Sequence, residues 1–374
     1  MVFFVTRVGL PPGQIGSVLS VGAVAGLILS IIIGRVADRV GIRHMLIAIA
    51  LLRAAAYGSL AFVNGIITYS VFMIVAIVGD QATPALQQAL IGQIIKKEKR
   101  TTAMGIMRAV RNIGSTIGLL IGGLVLSAKS DLVYRLALMT NGISFVALAV
   151  VIAMLHTEAE DSSRPPSRVS FNTKTNKSPL RSVPFLGLIG ANAMLLLHDS
   201  VLLVLLPIWV VQRTSFSPTM VAVLIAINTI VTVAFQLFIP RTRFGKRWRS
   251  ILVGATISLV GMCVAFAVAQ SQQNLVVVAM FTVFAVLALT IGENLHSIGA
   301  WDLSFQMAPP DRLAEYLSAF QLSNGLKAIV GPTLVTGIVL TNGLGGWALL
   351  AVLFTVGAYG TLRLGVRVIN KDSS

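Results

Sequence analysis

The chain alternates long apolar runs with short clusters of charge. Residues 14–34 carry no charged side chain. After Arg35-Val36-Ala37-Asp38-Arg39-Val40-Gly41-Ile42-Arg43-His44, apolar sequence resumes and Arg53 is its one charged interruption before residue 65. A run of about 18 apolar residues is enough to cross about 30 Å of hydrocarbon as a helix. On that basis the pattern predicts eleven spans, near 14–34, 44–64, 66–92, 102–127, 132–155, 183–211, 217–239, 250–270, 274–299, 313–340 and 344–367. Met1-Val2-Phe3-Phe4-Val5 is apolar but too short to span, and its flanks are not those of a signal peptide. An odd number of spans makes it read as the outer end of a first helix otherwise lacking. Residues 156–182 break the pattern; rich in Ser, Arg, Lys, Asn and Pro, they read as a flexible linker. The expected organisation is an N-terminal transmembrane bundle over 1–155 with its first helix incomplete, the linker 156–182, and a six-helix bundle over 183–374.

Composition agrees with a polytopic membrane protein. The 374 residues are 56% hydrophobic and 11% charged, against about 25% charged in an ordinary soluble domain. A net charge of +16 raises the question of nucleic acid, and its distribution answers it. When successive spans alternate sides, one side collects Arg35, Arg39 and Arg43, the cluster Lys96 to Arg100, the linker's basic residues, Arg241 to Arg249, Arg312, and Arg363, Arg367 and Lys371. The other side keeps Arg7, Lys129 and Arg213. The basic side is expected to be cytoplasmic, together with the linker and the C-terminus, in a plasma or inner membrane. The basicity then reflects topology and anionic lipid contact, with no nucleic-acid module. Cys263 is the single cysteine and lies in an apolar span; the four histidines, 44, 156, 198 and 296, are scattered. No disulfide framework, metal site or cofactor is expected. No phosphate-cradling Gly-x-x-x-x-Gly-Lys-Ser/Thr is present and no nucleophile–base constellation, so neither ATP hydrolysis nor an enzyme is expected.

The charged cluster carries a resemblance. Gly34, Asp38, Arg39, Gly41 and Arg43 fall on the pattern Gly-x-x-x-Asp-Arg-x-Gly-Arg-Arg/Lys, with Ile42 where a basic residue is usual. This resembles the loop between the second and third helices of the major facilitator superfamily. The resemblance implies an all-α fold of two pseudo-symmetric six-helix bundles around a midplane cavity, working by alternating access, most often as a monomer. It also implies that these five residues form a gating latch; a plain positive-inside anchor is the other reading. The halves echo each other, Arg39-Val40-Gly41-Ile42-Arg43 against Arg243-Phe244-Gly245-Lys246-Arg247, with Thr242 for Asp38. Residues 100–127 and 312–340 form a second echo, with Asn112 and Asn324 in register. Gly114-Ser115-Thr116-Ile117-Gly118-Leu119-Leu120-Ile121-Gly122-Gly123 resembles the family's antiporter signature at Gly118, Gly122 and Gly123, with Leu119 for its proline. The matching helix of the second half carries Gly331-Pro332. Exporter signature and ordinary packing glycines both remain open here.

Ionisable residues inside spans are costly and are functional candidates. Asp80, Asp199, Glu293 and His296 are the candidates for proton coupling. A buried carboxylate can take up a proton near neutral pH, and an imidazole can relay it. Arg108 and Arg111, three apart, are candidate partners for Asp80. Lys327 is a candidate partner for Glu293, and Arg53 has no evident partner. Arg111, Arg108, Asn112, Asn324, Lys327 and Gln321 are the candidates to line the substrate cavity. Phe185, Trp209 and Phe320 are either cavity walls or packing. The expected activity is proton-coupled efflux of a small organic molecule or drug, with protons and membrane lipid as the other partners. Proton-linked uptake and a non-transporting, truncated membrane protein are the alternatives.

Overall fold

The computed structural model describes residues 2–6, 8–128, 130–155, 178–217, 219–238 and 248–372. Among them there is no strand. The helices are α1 (Val2–Thr6), α2 (Pro12–Val40), α3 (Ile42–Ser59), α4 (Ile66–Ile94), α5 (Arg100–Ala128), α6 (Asp131–Met154), α7 (Val183–Leu195), α8 (Leu197–Ser200), α9 (Leu206–Arg213), α10 (Thr219–Phe238), α11 (Trp248–Ser271), α12 (Leu275–Met307), α13 (Leu313–Phe320), α14 (Leu322–Asn342) and α15 (Leu344–Asp372). Taken with their joining turns, ten spans among the described residues are long and apolar enough to cross a membrane. The eleventh expected span, 217–239, is α10, whose apolar stretch Thr219–Phe235 is shorter than the rest. Most of the linker, including His156, and the second-half echo at 239–247 lie outside the described residues.

One expectation about continuity is corrected. The charged cluster 34–44 is helical through Val40, and the reversal is made by Gly41 alone, at φ 105°. That backbone region suits glycine, so one residue separates α2 from α3 and the charges sit on helix ends. The expected span 183–211 is present as one span, Val183–Gln212, with a local change of helical pitch inside it. After α7 ends at Leu195, α8 is followed by a π-helical turn, Val201–Leu205, and then by α9. Pro207 explains the widening: it has no N–H for the helix ladder, and the Leu206 N–H reaches back five residues to the Val201 carbonyl. The span 313–340 is likewise one span, Pro310–Asn342, in which Gln321 keeps a right-handed helical backbone between α13 and α14.

The described residues cluster into two compact units. The first draws on Met1–Lys97, Val110–Lys177 and Ala308–Ala319; the second on Glu98–Ala109, Ser178–Met307 and Phe320–Ser374. In the first, Phe3 and Phe4 of α1 are buried against Ile15, Leu60, Tyr69 and Tyr134. Gly142 of α6 lies against the Ala54 carbonyl and the Gly58 backbone of α3, so these two helices meet at backbone distance. In the second, the Trp209 and Trp347 indoles both donate to Gln270 Oε1, at 3.4 and 3.0 Å, around Phe266. Phe185 and Trp209 are 1% exposed and Phe320 is 7% exposed, which makes them packing residues here.

Candidate functional site

Three polar clusters are built around the candidate residues, and each lies within one unit. The first is built on the α2 terminus. The first-turn amides of a helix have no intrahelical acceptor. In α13 those of Ala314 and Glu315 donate to Asp38 Oδ1 and Oδ2, both at 2.8 Å. The carboxylate caps a foreign helix and complements its positive end. Gly34, one turn earlier on α2, makes this possible: a Cβ there would stand 2.7 Å from the Ala314 carbonyl oxygen. Arg35 donates to Glu315 Oε1 at 2.7 Å, and Arg312 to Glu315 Oε2 at 2.8 Å. Arg43 turns the other way and caps the end of α6, donating to the Ile152 carbonyl at 3.2 Å and to Ala153. Arg39 is exposed on the last turn of α2. Glu315 is not among the residues expected from the sequence; its signal was the spacing Arg312-x-x-Glu315 at the head of a helix.

The second cluster surrounds Asp80 on α4. Its partner is Arg53 of α3, in place of the expected Arg108 or Arg111. Tyr57 donates to Asp80 Oδ2 at 2.6 Å, Arg53 donates to Thr83 Oγ1 at 3.2 Å, and the guanidinium lies 4.0 Å from the Phe145 ring centroid. Charge, hydroxyl and aromatic face together satisfy a cation that the sequence left unpaired. Asp80 stays partly open, its side chain 37% exposed.

The third cluster spreads from α12. Glu293 is buried and pairs with Arg108 of α5, which also donates to Ser297 Oγ. Asn228 of α10 donates to Thr290 Oγ1 at 2.9 Å and to Glu293 Oε2 at 3.4 Å. The expected Glu293–Lys327 pair is not formed, because Lys327 Nζ donates to Asp199 Oδ2 at 2.7 Å. Although Glu293 and His296 share a helix face, they engage different partners. His296 Nδ1 meets His198 Nε2 at 3.2 Å and His296 Nε2 meets Asn192 Oδ1 at 3.0 Å.

The remaining candidates are placed apart from these clusters. Arg111 is exposed on α5 and Asn324 is exposed on α14, donating to Gln321 Oε1 at 2.6 Å; Asn112 is half-buried. Gly114, Gly118, Gly122 and Gly123 have open space where a Cβ would stand, so none is a helix-contact point among the described residues. Gly331 is one: a Cβ there would collide with Ser200 Oγ. Pro332 follows it inside α14. An apolar groove on α3 and α6, lined by Leu51, Ala54, Phe62, Met139 and Val146, contains none of the candidates.

The profile described as the Major Facilitator Superfamily matches residues 1–332. The multidrug resistance protein MdtH of Aeromonas hydrophila is 25% identical over 381 residues, covering 99% of this chain and 90% of that protein. The class C tetracycline resistance protein of Escherichia coli is 23% identical, covering 91% and 85%. Among solved structures, the proton:xylose symporter XylE superposes with a TM-score of 0.66 at 15% identity, over 96% of this chain and 88% of that one. An all-α chain of membrane-length helices, matched by the family profile over most of its length, belongs to the major facilitator superfamily of membrane transporters.

Proposed function

We propose that this transporter exports a small organic molecule in exchange for protons, as a monomer in the inner or plasma membrane with its linker and C-terminus cytoplasmic. The observation that carries the reading is the buried Glu293–Arg108 pair in the middle of apolar helices. Breaking such a pair by neutralising one partner costs about 3–5 kcal/mol, so it persists until a proton or a charged substrate replaces the lost partner. A proton from the outer side, bound to Glu293, releases Arg108; its later departure to the cytoplasm restores the pair. Residues 1–155 and 183–374 are the bodies that alternate, and Gly34, Asp38, Arg39, Gly41 and Arg43 form the latch between them. Asp80, Asp199 and His296 are further proton carriers. Arg111, Asn112, Gln321, Asn324 and Lys327 line the substrate path. The direction follows the relatives named for tetracycline and multidrug resistance.

The test is uptake of ethidium into everted membrane vesicles energised by respiration. Accumulation that collapses with a protonophore, and is lost in Glu293→Gln, supports proton-driven export. Accumulation that survives in the Glu293→Gln, Asp80→Asn double variant sinks the reading.

A further inference from the structure

The C-terminal helix α15 has one packed face and one uncovered face. Leu350, Phe354 and Thr361 are fully buried, and the packed face sits closely on α7, where a Cβ on Gly357 would stand 2.9 Å from the Ala191 carbonyl oxygen. On the uncovered face, at spacings of three and four, stand Val352, Val356, Tyr359, Arg363 and Arg367, all exposed. Tyr359 is 61% exposed, so it is not a packing residue. From mid-span to the helix end the order runs aliphatic, phenol, cation, which is the polarity profile of one bilayer leaflet. The scale agrees. The uncharged run Leu344–Leu362 rises about 28 Å, close to the thickness of the hydrocarbon, and sets Arg363 at its edge. From Val352 to Arg363 the rise is about 16 Å, the depth of one leaflet's chains. At the edge, Arg363 Nη1 donates to the Tyr359 hydroxyl oxygen at 2.6 Å, and the guanidinium lies 5.8 Å from that ring's centroid. This contact aims the guanidinium along the helix and leaves most of its N–H donors, and the phenol's own hydrogen, available. Neither Arg363 nor Arg367 meets a carboxylate among the described residues.

We infer that this face of α15 binds one anionic phospholipid of the phosphatidylglycerol class. Its phosphate sits between Arg363 and Arg367, one turn apart, and one of its chains lies along Val352 and Val356. Guanidinium groups present planar edges of several donors that match phosphate oxygens, and a phosphate diester brings the anion that the described residues do not supply there. A choline headgroup would bring its own cation against the two arginines, so a zwitterionic lipid of that kind fits less well. Basic residues at span ends also serve topology alone. Arg249, at the head of α11, supplies that comparison: it is exposed, and its guanidinium lies 5.5 Å from the Trp248 ring. It stands at the same end of the unit, since a Cβ on Gly365 of α15 would come within 3.1 Å of the Trp248 side chain. On α15 the helix presents two cations in line below a tyrosine that orients the first. The inference is independent of the proton-coupled reading and holds or fails without it.

The experiment uses the full chain, purified in detergent and titrated with palmitoyl-oleoyl phosphatidylglycerol or with the phosphatidylcholine of the same chains. Native mass spectrometry counts the bound lipid. Phosphatidylglycerol binds about tenfold more tightly than phosphatidylcholine. An arginine beside an anionic headgroup contributes a factor of about five, so Arg363→Gln and Arg367→Gln each weaken phosphatidylglycerol by that factor and the double variant by about 25-fold. Arg249→Gln changes it by less than about twofold. Size-exclusion elution and the thermal unfolding midpoint check that each variant is folded. A second readout needs no variant. Phosphatidylglycerol with a diazirine in its acyl chain labels the α15 peptide containing Val352 and Val356, and unlabelled phosphatidylglycerol competes where phosphatidylcholine does not. Equal binding of the two lipids overturns the inference, as does a preference that survives in the double variant. A loss in Arg249→Gln equal to that in Arg363→Gln overturns it too, because it reports surface charge in general. So does a label found only outside α15.

Discussion

Asp38→Asn removes charge from the α13 cap while keeping its shape. The two carboxylate oxygens accept one amide each, from Ala314 and Glu315, at 2.8 Å. Asparagine keeps one acceptor and turns an NH2 group toward the other amide, so one bond is lost and two donors face each other. A hydrogen bond to a charged group is worth about 1.5–3 kcal/mol, and a carboxylate at a helix N-terminus about 0.3–1 kcal/mol more. Asp38 is half-buried, which favours the lower part of that range. A loss of about 2–3 kcal/mol opens the cap about 30- to 150-fold more often, at 1.4 kcal/mol for each factor of ten. Hydrogen exchange of the peptide containing residues 313–318, measured by mass spectrometry on protein in lipid nanodiscs, reads this directly. The amides of Ala314 and Glu315 exchange faster by that factor in Asp38→Asn and not in Asp131→Asn, whose carboxylate opens α6 instead. Unchanged exchange at both amides refutes the reasoning. So does an equal acceleration throughout α12, which reports general unfolding and not the release of a cap.

Two further predictions separate packing from charge. Gly142→Ala puts a Cβ 2.9 Å from the Ala54 carbonyl oxygen and 3.1 Å from the Gly58 nitrogen, backbone atoms that cannot rotate away, and costs about 1–3 kcal/mol. Gly114→Ala meets open space and stays within about 0.5 kcal/mol, so thermal unfolding midpoints that fall equally in both contradict the packing described. For Arg53 and Asp80, whose side chains are 13% and 37% exposed, a double-mutant cycle with Arg53→Leu and Asp80→Asn gives a coupling of about 1–2 kcal/mol. That is well below the cost of breaking a fully buried pair, because water reaches the carboxylate. A coupling near zero makes the pair incidental.

The spans were legible because length and apolarity suffice to define a membrane helix, and neither depends on what the helix touches. Gly41 was legible for a similar reason: a glycine between two charged helix ends marks a reversal, although its confinement to one residue was not evident. The change of helical pitch at Val201–Leu205 was less readable. Pro207 marks the π-helical turn before it, but proline is also tolerated in unbroken membrane helices, as Pro84 is in α4.

Partner choice was the part the sequence withheld. Asp80 takes Arg53, Glu293 takes Arg108 and Lys327 takes Asp199, where proximity along the chain and plausible depth suggested other pairings. Pairing between helices depends on how each is rotated about its own axis. In a soluble helix the apolar stripe reveals that rotation. In α4 and α12 apolar residues surround the axis, so the stripe is absent and the few polar groups define the facing side themselves. Glu293 and His296 illustrate the limit: three residues apart and on one face, they still divide between α5 and α10 on one hand and α7–α9 on the other. A buried polar group in such a helix is therefore a reliable sign that a partner exists, while the partner's identity comes from helix rotation.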